Sequence, residues 1–164
     1  MLRKLALGLV LTGAAALAGC GHEQKTAQVE TRIAPGFGFY YLDEGPSAKL
    51  AYGEANSDNV GLMLQCARGS QVVEVSDVVR STPAATLTLA SAGQRTDLKA
   101  NVESGEGAPV VVAHAPTAAP ALAAFRRSGR MEVSYAGLRY SVAAKPQEQP
   151  SVERFFSACE RRGA

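Results

Sequence analysis

The chain has 164 residues, of which 46% are hydrophobic, and its 17 basic residues nearly balance its 15 acidic ones. A near-neutral chain is a poor candidate for nucleic-acid binding, because neutralisation of phosphates by Lys and Arg dominates that affinity. The length suffices for one domain with a real core, which without Trp must be built from Val, Leu and a few other aromatic residues.

The N-terminus has the parts of an export signal. Arg3 and Lys4 form a charged start, an apolar run covers residues 5–18, and small residues precede a cysteine. A transmembrane helix is the alternative interpretation. As a helix this run would rise only about 22 Å, short of the roughly 30 Å hydrocarbon core of a bilayer. The sequence therefore predicts a signal peptide over residues 1–19.

The end of this leader, Leu17-Ala18-Gly19-Cys20, resembles the lipobox of bacterial lipoproteins. The resemblance implies that the Cys20 thiol receives a diacylglyceryl group, that the leader is cleaved just before it, and that the new amino group is acylated. Several acyl chains make a durable membrane anchor, at about 0.8 kcal/mol per buried CH₂. The following residue is Gly rather than Asp, which in Gram-negative lipoproteins implies the outer membrane. An ordinary secretory signal with a coincidental cysteine is the alternative.

Cleavage removes Arg3 and Lys4, so the mature chain carries 15 basic and 15 acidic residues. Residues 20–34 are polar with few apolar anchors, which predicts a lipidated N-terminus and a flexible tether with a reach of about 20 Å. A single β-rich globular domain is expected over residues 35–164.

Beyond the tether, apolar and polar residues alternate between frequent turn residues, which is typical of strands. The stretch FGFYYL places Phe37, Phe39 and Tyr41 on one face of the first long strand. Similar segments follow in AKLAY, VGLMLQC, QVVEVSDVV, ATLTLAS, TDLKANV and PVVVAHA.

Two hairpins can be placed in register. A two-residue turn at 136–137 pairs Val133 with Tyr140, and Met131 with Val142, so that all the apolar side chains share one face. A turn at 92–93 pairs Leu87 with Leu98, and residue 85 with residue 100. Ala-Gly is a weaker hairpin signal than Asn-Gly.

Two helices complete the pattern. One has Thr117 as candidate N-cap and Gly129 just past its end, and the other begins near Ser151. The sequence therefore predicts a mainly β fold, an antiparallel sandwich or partly open barrel of about eight short strands with two short helices. In the last helix, apolar residues at i, i+3, i+4 and i+7 form one stripe: Val152, Phe155, Phe156 and Cys159.

Two cysteines remain once Cys20 carries lipid. In the oxidising compartment that an export signal implies, Cys66 and Cys159 are expected to form a disulfide that tethers the C-terminal helix. Both lie on apolar faces, one on a strand and one on a helix. No CxxC motif points to a redox pair, and no neighbouring ligands point to a metal site.

No nucleophile elbow, phosphate loop or HExxH motif occurs in the sequence. We therefore expect no enzymatic activity, no cofactor and no metal. Two groups are candidate binding residues: the aromatic face of Phe37, Phe39 and Tyr41, and the basic cluster of Arg126, Arg127 and Arg130. For the first the alternative is a place in the core, and for the second a solvated surface.

Together these features predict a non-enzymatic binding or structural module of the bacterial cell envelope. It would be held by its N-terminal lipid to the outer membrane, facing the periplasm, and would bind an envelope protein or peptidoglycan. One alternative is an envelope hydrolase with an unrecognised site around His114. Another is a periplasmic inhibitor of a cell-wall-degrading enzyme.

Overall fold

The structure is a computed structural model that describes residues 30–31, 36–78, 85–104 and 108–161. The leader, Cys20 and most of the expected tether lie outside the described residues. The elements in chain order are β1 (Glu30–Thr31), β2 (Phe37–Glu44), β3 (Ser47–Glu54), β4 (Val60–Ala67), β5 (Val72–Val78), β6 (Thr86–Ser91), β7 (Gln94–Ser104), β8 (Pro109–Pro116), α1 (Pro120–Ser128), β9 (Arg130–Tyr135), β10 (Leu138–Ala143), the 3₁₀ helix η1 (Pro146–Glu148) and α2 (Gln149–Glu160).

Among the described residues the strands form one sheet in the order β1-β10-β9-β6-β7-β8-β5-β4-β3-β2. Strands β2 to β10 are antiparallel to their neighbours, and β1 adds two residues parallel to β10. The sheet is nearly closed. The mainly β prediction is confirmed, and of its two forms the structure adopts the partly open barrel. Glu30 and Thr31, which form β1, belong to the segment expected to be a tether.

Every second side chain of the barrel strands points inward. In β3, for instance, Ala48, Leu50 and Tyr52 are buried, and both helices pack on the same side of the sheet. A chain of aromatic rings runs through this core. The ring of Phe39 lies 5.4 Å from that of Phe125 on α1, which lies 6.2 Å from Phe156 on α2. The strands and helices therefore share one hydrophobic core.

Both predicted helices are present, although their N-termini differ from the expectation. The N-cap of helix α1 is Ala119 rather than the predicted Thr117. The backbone N–H of Thr117 donates to Gln71 O. Helix α2 begins at Gln149, directly after η1, so that Ser151 lies inside its first turn. The C-terminus of α1 is as predicted, with Gly129 in the left-handed region at φ 66°.

The registers of both hairpins are confirmed. Strands β9 and β10 pair Val133 with Tyr140 and Met131 with Val142, and β6 pairs Leu87 with Leu98 on β7. The four turn residues at 92–93 and 136–137 all have positive φ, between 45° and 79°. This is the geometry of type I′ turns, whose twist matches that of the flanking strands.

The predicted disulfide is also confirmed. It joins Cys66 at the end of β4 to Cys159 near the end of α2, with a Cα–Cα distance of 5.7 Å. Next to it, the N–H groups of Gly69 and Gln71 donate to the carbonyls of Ala158 and Cys159. The loop after β4 therefore satisfies carbonyl groups that the helix end leaves unpaired.

The free edge of β2 is covered by side chains rather than by another strand. The carboxylate of Glu148 accepts a hydrogen bond from Phe39 N at 3.2 Å, and the ammonium of Lys145 donates to Phe37 O at 2.9 Å. A Cβ at Gly38 would meet this carboxylate, so a larger residue there would displace the Glu148 side chain. Burial, and secondarily the charge of Glu148, raises the pKa of Tyr52.

Candidate binding groove

A groove with a volume of about 450 Å³ lies on the outer face of β2, β3 and β4. Its walls carry two of the exposed large hydrophobic residues, Tyr40 at 37% and Leu42 at 42% exposure. We call this feature the outer groove. The residues that line it are Tyr40, Tyr41, Leu42, Glu44, Lys49, Ala51, Gly53, Glu54, Asn56, Ser57, Val60 and Met63.

Small residues form the floor of the outer groove. Ala51 and Gly53 alternate on β3 with the core residues, and Ala51 faces Met63 across the pair with β4. Gly53 lies at a register shift, where a Cβ would come within 2.5 Å of Asn59 O. The backbone of Asn59 therefore lies over the floor at Gly53, and Ala51 is buried between the larger side chains of Tyr40 and Met63.

The two ends of the outer groove are polar. At one end Lys49 forms an ion pair with Glu44 at 2.9 Å. At the other, Glu54 lies beside Asn56 and Ser57 of the loop between β3 and β4. The lining thus carries two carboxylates against one ammonium group. An apolar middle with a few polar groups at its ends is typical of small-molecule sites, which usually measure about 300–1,000 Å³.

The three aromatic residues predicted from β2 face the core side of the sheet. Phe39 is buried, and Phe37 and Tyr41 are partly buried against the core. The guanidinium of Arg154 lies over the ring of Tyr41 at 4.8 Å, and Arg68 donates to its hydroxyl at 3.3 Å. The exposed aromatic residue of β2 is Tyr40, which lies on the opposite face. A binding role for Phe37, Phe39 and Tyr41 stays a prediction.

Two arginines, Arg68 and Arg154, contact the hairpin formed by β2 and β3. Arg68 forms an ion pair with Asp43 and donates to Gly45 O at 2.6 Å. The hydrogen bond from Arg68 lowers the pKa of Asp43, and the charge of Arg154 acts in the same direction. These contacts tie the β2–β3 turn to the end of β4.

The predicted basic cluster divides into one paired and two unpaired residues. Arg126 on α1 binds Glu153 and Glu160 on α2, and these bonds raise its pKa. Arg127 and Arg130 are exposed, and neither forms an ion pair within the described part of the chain. Arg126 therefore joins the two helices, and the binding role of the cluster stays a prediction.

His114 lies on the outer face of β8, with its side chain 58% exposed. Its Nε2 is 3.4 Å from a carboxylate oxygen of Glu74 on β5. Ser70 lines the same shallow depression, but its hydroxyl donates to Val72 O at 3.1 Å. Among the described residues no serine hydroxyl bonds this histidine, and the hydrolase alternative stays a prediction.

A buried polar cluster lies inside the barrel. The hydroxyls of Tyr135 and Tyr140 both donate to Asp77 Oδ2, at 3.0 and 2.6 Å. All three side chains are almost completely buried. Because buried carboxylates require hydrogen-bond partners, these phenols have a clear structural role.

Comparison of the chain with protein-family models, with curated proteins and with solved structures finds no match. Over the described residues, no helix has the length and apolar character needed to cross a bilayer. In the same residues, no three or more His, Cys, Asp or Glu side chains lie together as metal ligands would.

The outer groove is the feature that the sequence did not predict. Strand alternation correctly indicated which residues of β2 face inward, but an outer site requires three neighbouring strands in register. One signal was present. In Tyr40-Tyr41-Leu42 the outward positions are as apolar as the inward one, which departs from the alternation expected of a solvated outer face.

Proposed function

We propose that this protein is a non-enzymatic binding module of the bacterial cell envelope, anchored by lipid at Cys20, and that it binds its partner in the outer groove. The observation that carries the proposal is the pair Tyr40 and Leu42, two exposed large hydrophobic residues in a groove of about 450 Å³. Exposed apolar groups gathered at a concave surface mark binding sites more often than solvated faces.

The anchor half of the proposal is supported by the sequence Leu17-Ala18-Gly19-Cys20. The disulfide adds support, because such bonds persist in exported proteins and are rare in the cytosol. The periplasmic inhibitor is a specialised form of the same proposal, in which the bound partner is a cell-wall-degrading enzyme.

The test of the groove uses the full-length chain, purified from membranes in detergent after chemical crosslinking in cells. Leu42→Ala removes an exposed side chain inside the outer groove. Val72→Ala removes one of similar exposure, 44%, outside it. We expect crosslinked partners to be lost with Leu42→Ala and kept with Val72→Ala. Equal recovery from both variants would contradict the groove as the binding site.

The test of the anchor is the mass of the N-terminal peptide. We expect a mature chain that begins at Cys20 and carries diacylglyceryl and acyl groups, and a Cys20→Ala variant that carries no lipid and retains its leader. An unmodified cysteine on a chain that retains its leader would contradict the lipid anchor.

A further inference from the structure

We infer that the outer groove binds an N-acetylated oligosaccharide, the chemistry of the glycan strands of the cell wall. This inference rests on the proposed function and specifies its ligand. It follows from the backbone pairing of the groove, its exposed aromatic ring and the charge of its ends.

The backbone of β3, which forms the floor of the groove, cannot pair with an added peptide strand. β3 forms the floor and pairs with β2 on one side and with β4 on the other. Its N–H and C=O groups are therefore used within the sheet, and a strand cannot be added on the face of a sheet. A ligand over this floor therefore finds polar groups at the two ends of the groove.

The charge of the lining disfavours phosphate and anionic lipid. Lys49 is paired with Glu44, and at the opposite end Glu54 adds a second carboxylate. Anionic groups are normally recognised by Arg or by unpaired Lys. Among the described residues, no arginine lines the groove. Carboxylate and amide oxygens instead accept hydrogen bonds from hydroxyl and acetamido N–H groups.

The side chains of the groove match the surface of sugar rings. A pyranose has a face of C–H groups and an edge of hydroxyls, so it needs an apolar surface bordered by polar groups. Tyr40 supplies an exposed aromatic ring on which the C–H face can stack. Met63 offers a soft apolar surface for the acetamido methyl group.

The test measures binding of chitotetraose, a soluble tetramer of N-acetylglucosamine, to the full-length protein in detergent by titration calorimetry. We expect saturable binding that Tyr40→Phe keeps and Tyr40→Ala weakens at least about tenfold, which corresponds to about 1.4 kcal/mol. The control Val72→Ala should bind like the unmodified protein.

Two results would overturn the inference. One is the lack of saturable binding up to the solubility limit of the sugar, and the other is equal binding by Tyr40→Ala. Neither result decides the proposed function. That proposal is tested by the loss of crosslinked partners with Leu42→Ala, which does not depend on the sugar. Loss of partners without sugar binding would retain the groove as a site and reject only the glycan.

Discussion

Both hairpin turns place an alanine in the left-handed region of backbone space. Ala92 has φ 45° and Ala136 has φ 46°, where a Cβ is crowded by the following carbonyl oxygen. Asparagine tolerates this conformation better and is preferred at the first position of a type I′ turn. In both turns glycine occupies only the second position, so the alanine at the first position carries backbone strain.

Replacing Ala136 with Asn is therefore expected to stabilise the protein by about 0.5–1 kcal/mol, because it relieves the strain without removing a contact. Ala92→Asn should have a similar effect at the other hairpin. The measurement is the free energy of unfolding in urea with the disulfide intact. Ala55→Asn, in the exposed loop after β3 and without a positive φ, is the control and should give no gain. A loss of stability from both turn variants would contradict the assignment of the turns.

Gly38 has a different role, because its lack of a side chain lets the Glu148 carboxylate approach the backbone of β2. We expect Gly38→Ala to cost about 1–2 kcal/mol, because the new Cβ displaces the Glu148 carboxylate from Phe39 N. If so, the same change in a Glu148→Ala background should cost clearly less. A double-mutant cycle of unfolding free energies measures this coupling. Strict additivity would show that the glycine and the carboxylate act independently.

At the scale of whole elements, the registers of the hairpins and the burial pattern of the strands were predictable from the sequence. Two-residue turns and strict alternation leave one register that buries every apolar residue, as Met131 and Val133 show on β9. The disulfide was predictable for a related reason, because both cysteines lie on apolar faces. These are local patterns that nearby residues determine.

The covering of β2 could not be predicted in this way. Glu148 and Phe39 are 109 residues apart, and their hydrogen bond exists only because α2 returns to the free edge of the barrel. The outer groove has the same origin, since its lining comes from three strands and a loop. Local alternation identifies the faces of each strand but not which outer side chains will stand next to one another.

The contact between α1 and α2 depends on ionisation. Arg126 lowers the pKa of Glu153 below its ordinary value of 4.5, so the stabilisation is present above pH 4.5 and is lost as the pH falls through the lower pKa of the folded state. Glu153 is half exposed, so Glu153→Gln is expected to cost only about 0.5 kcal/mol at pH 7.

Urea unfolding at successive pH values from neutral to strongly acidic checks this expectation. The difference between Glu153→Gln and the unmodified protein should vanish at the acidic end, where the native carboxyl is also protonated. Glu103→Gln, in an exposed part of β7, is the control and should show no pH-dependent difference. A difference that persists unchanged in acid would contradict an ionic origin.

For the molecule as a whole, the disulfide links strand β4 to helix α2, and the two cysteines are 93 residues apart in the chain. Replacing both Cys66 and Cys159 with Ala is expected to lower the free energy of unfolding by about 2–4 kcal/mol, since the unfolded chain gains conformational freedom. The apolar stripe of α2 remains, so the circular dichroism of the native fold should persist at low temperature. Unfolding free energies within error of each other would show that the bond adds no stability.

The anchor and the outer groove are tested together where the protein is made. A photoreactive benzoylphenylalanine replaces Tyr40 in the groove or, as control, the exposed Val72 at the start of β5, in full-length protein expressed in growing cells. After irradiation of intact cells, we expect an adduct in the membrane fraction from position 40 and none from position 72. No adduct at position 40, or equal adducts at both positions, would contradict it.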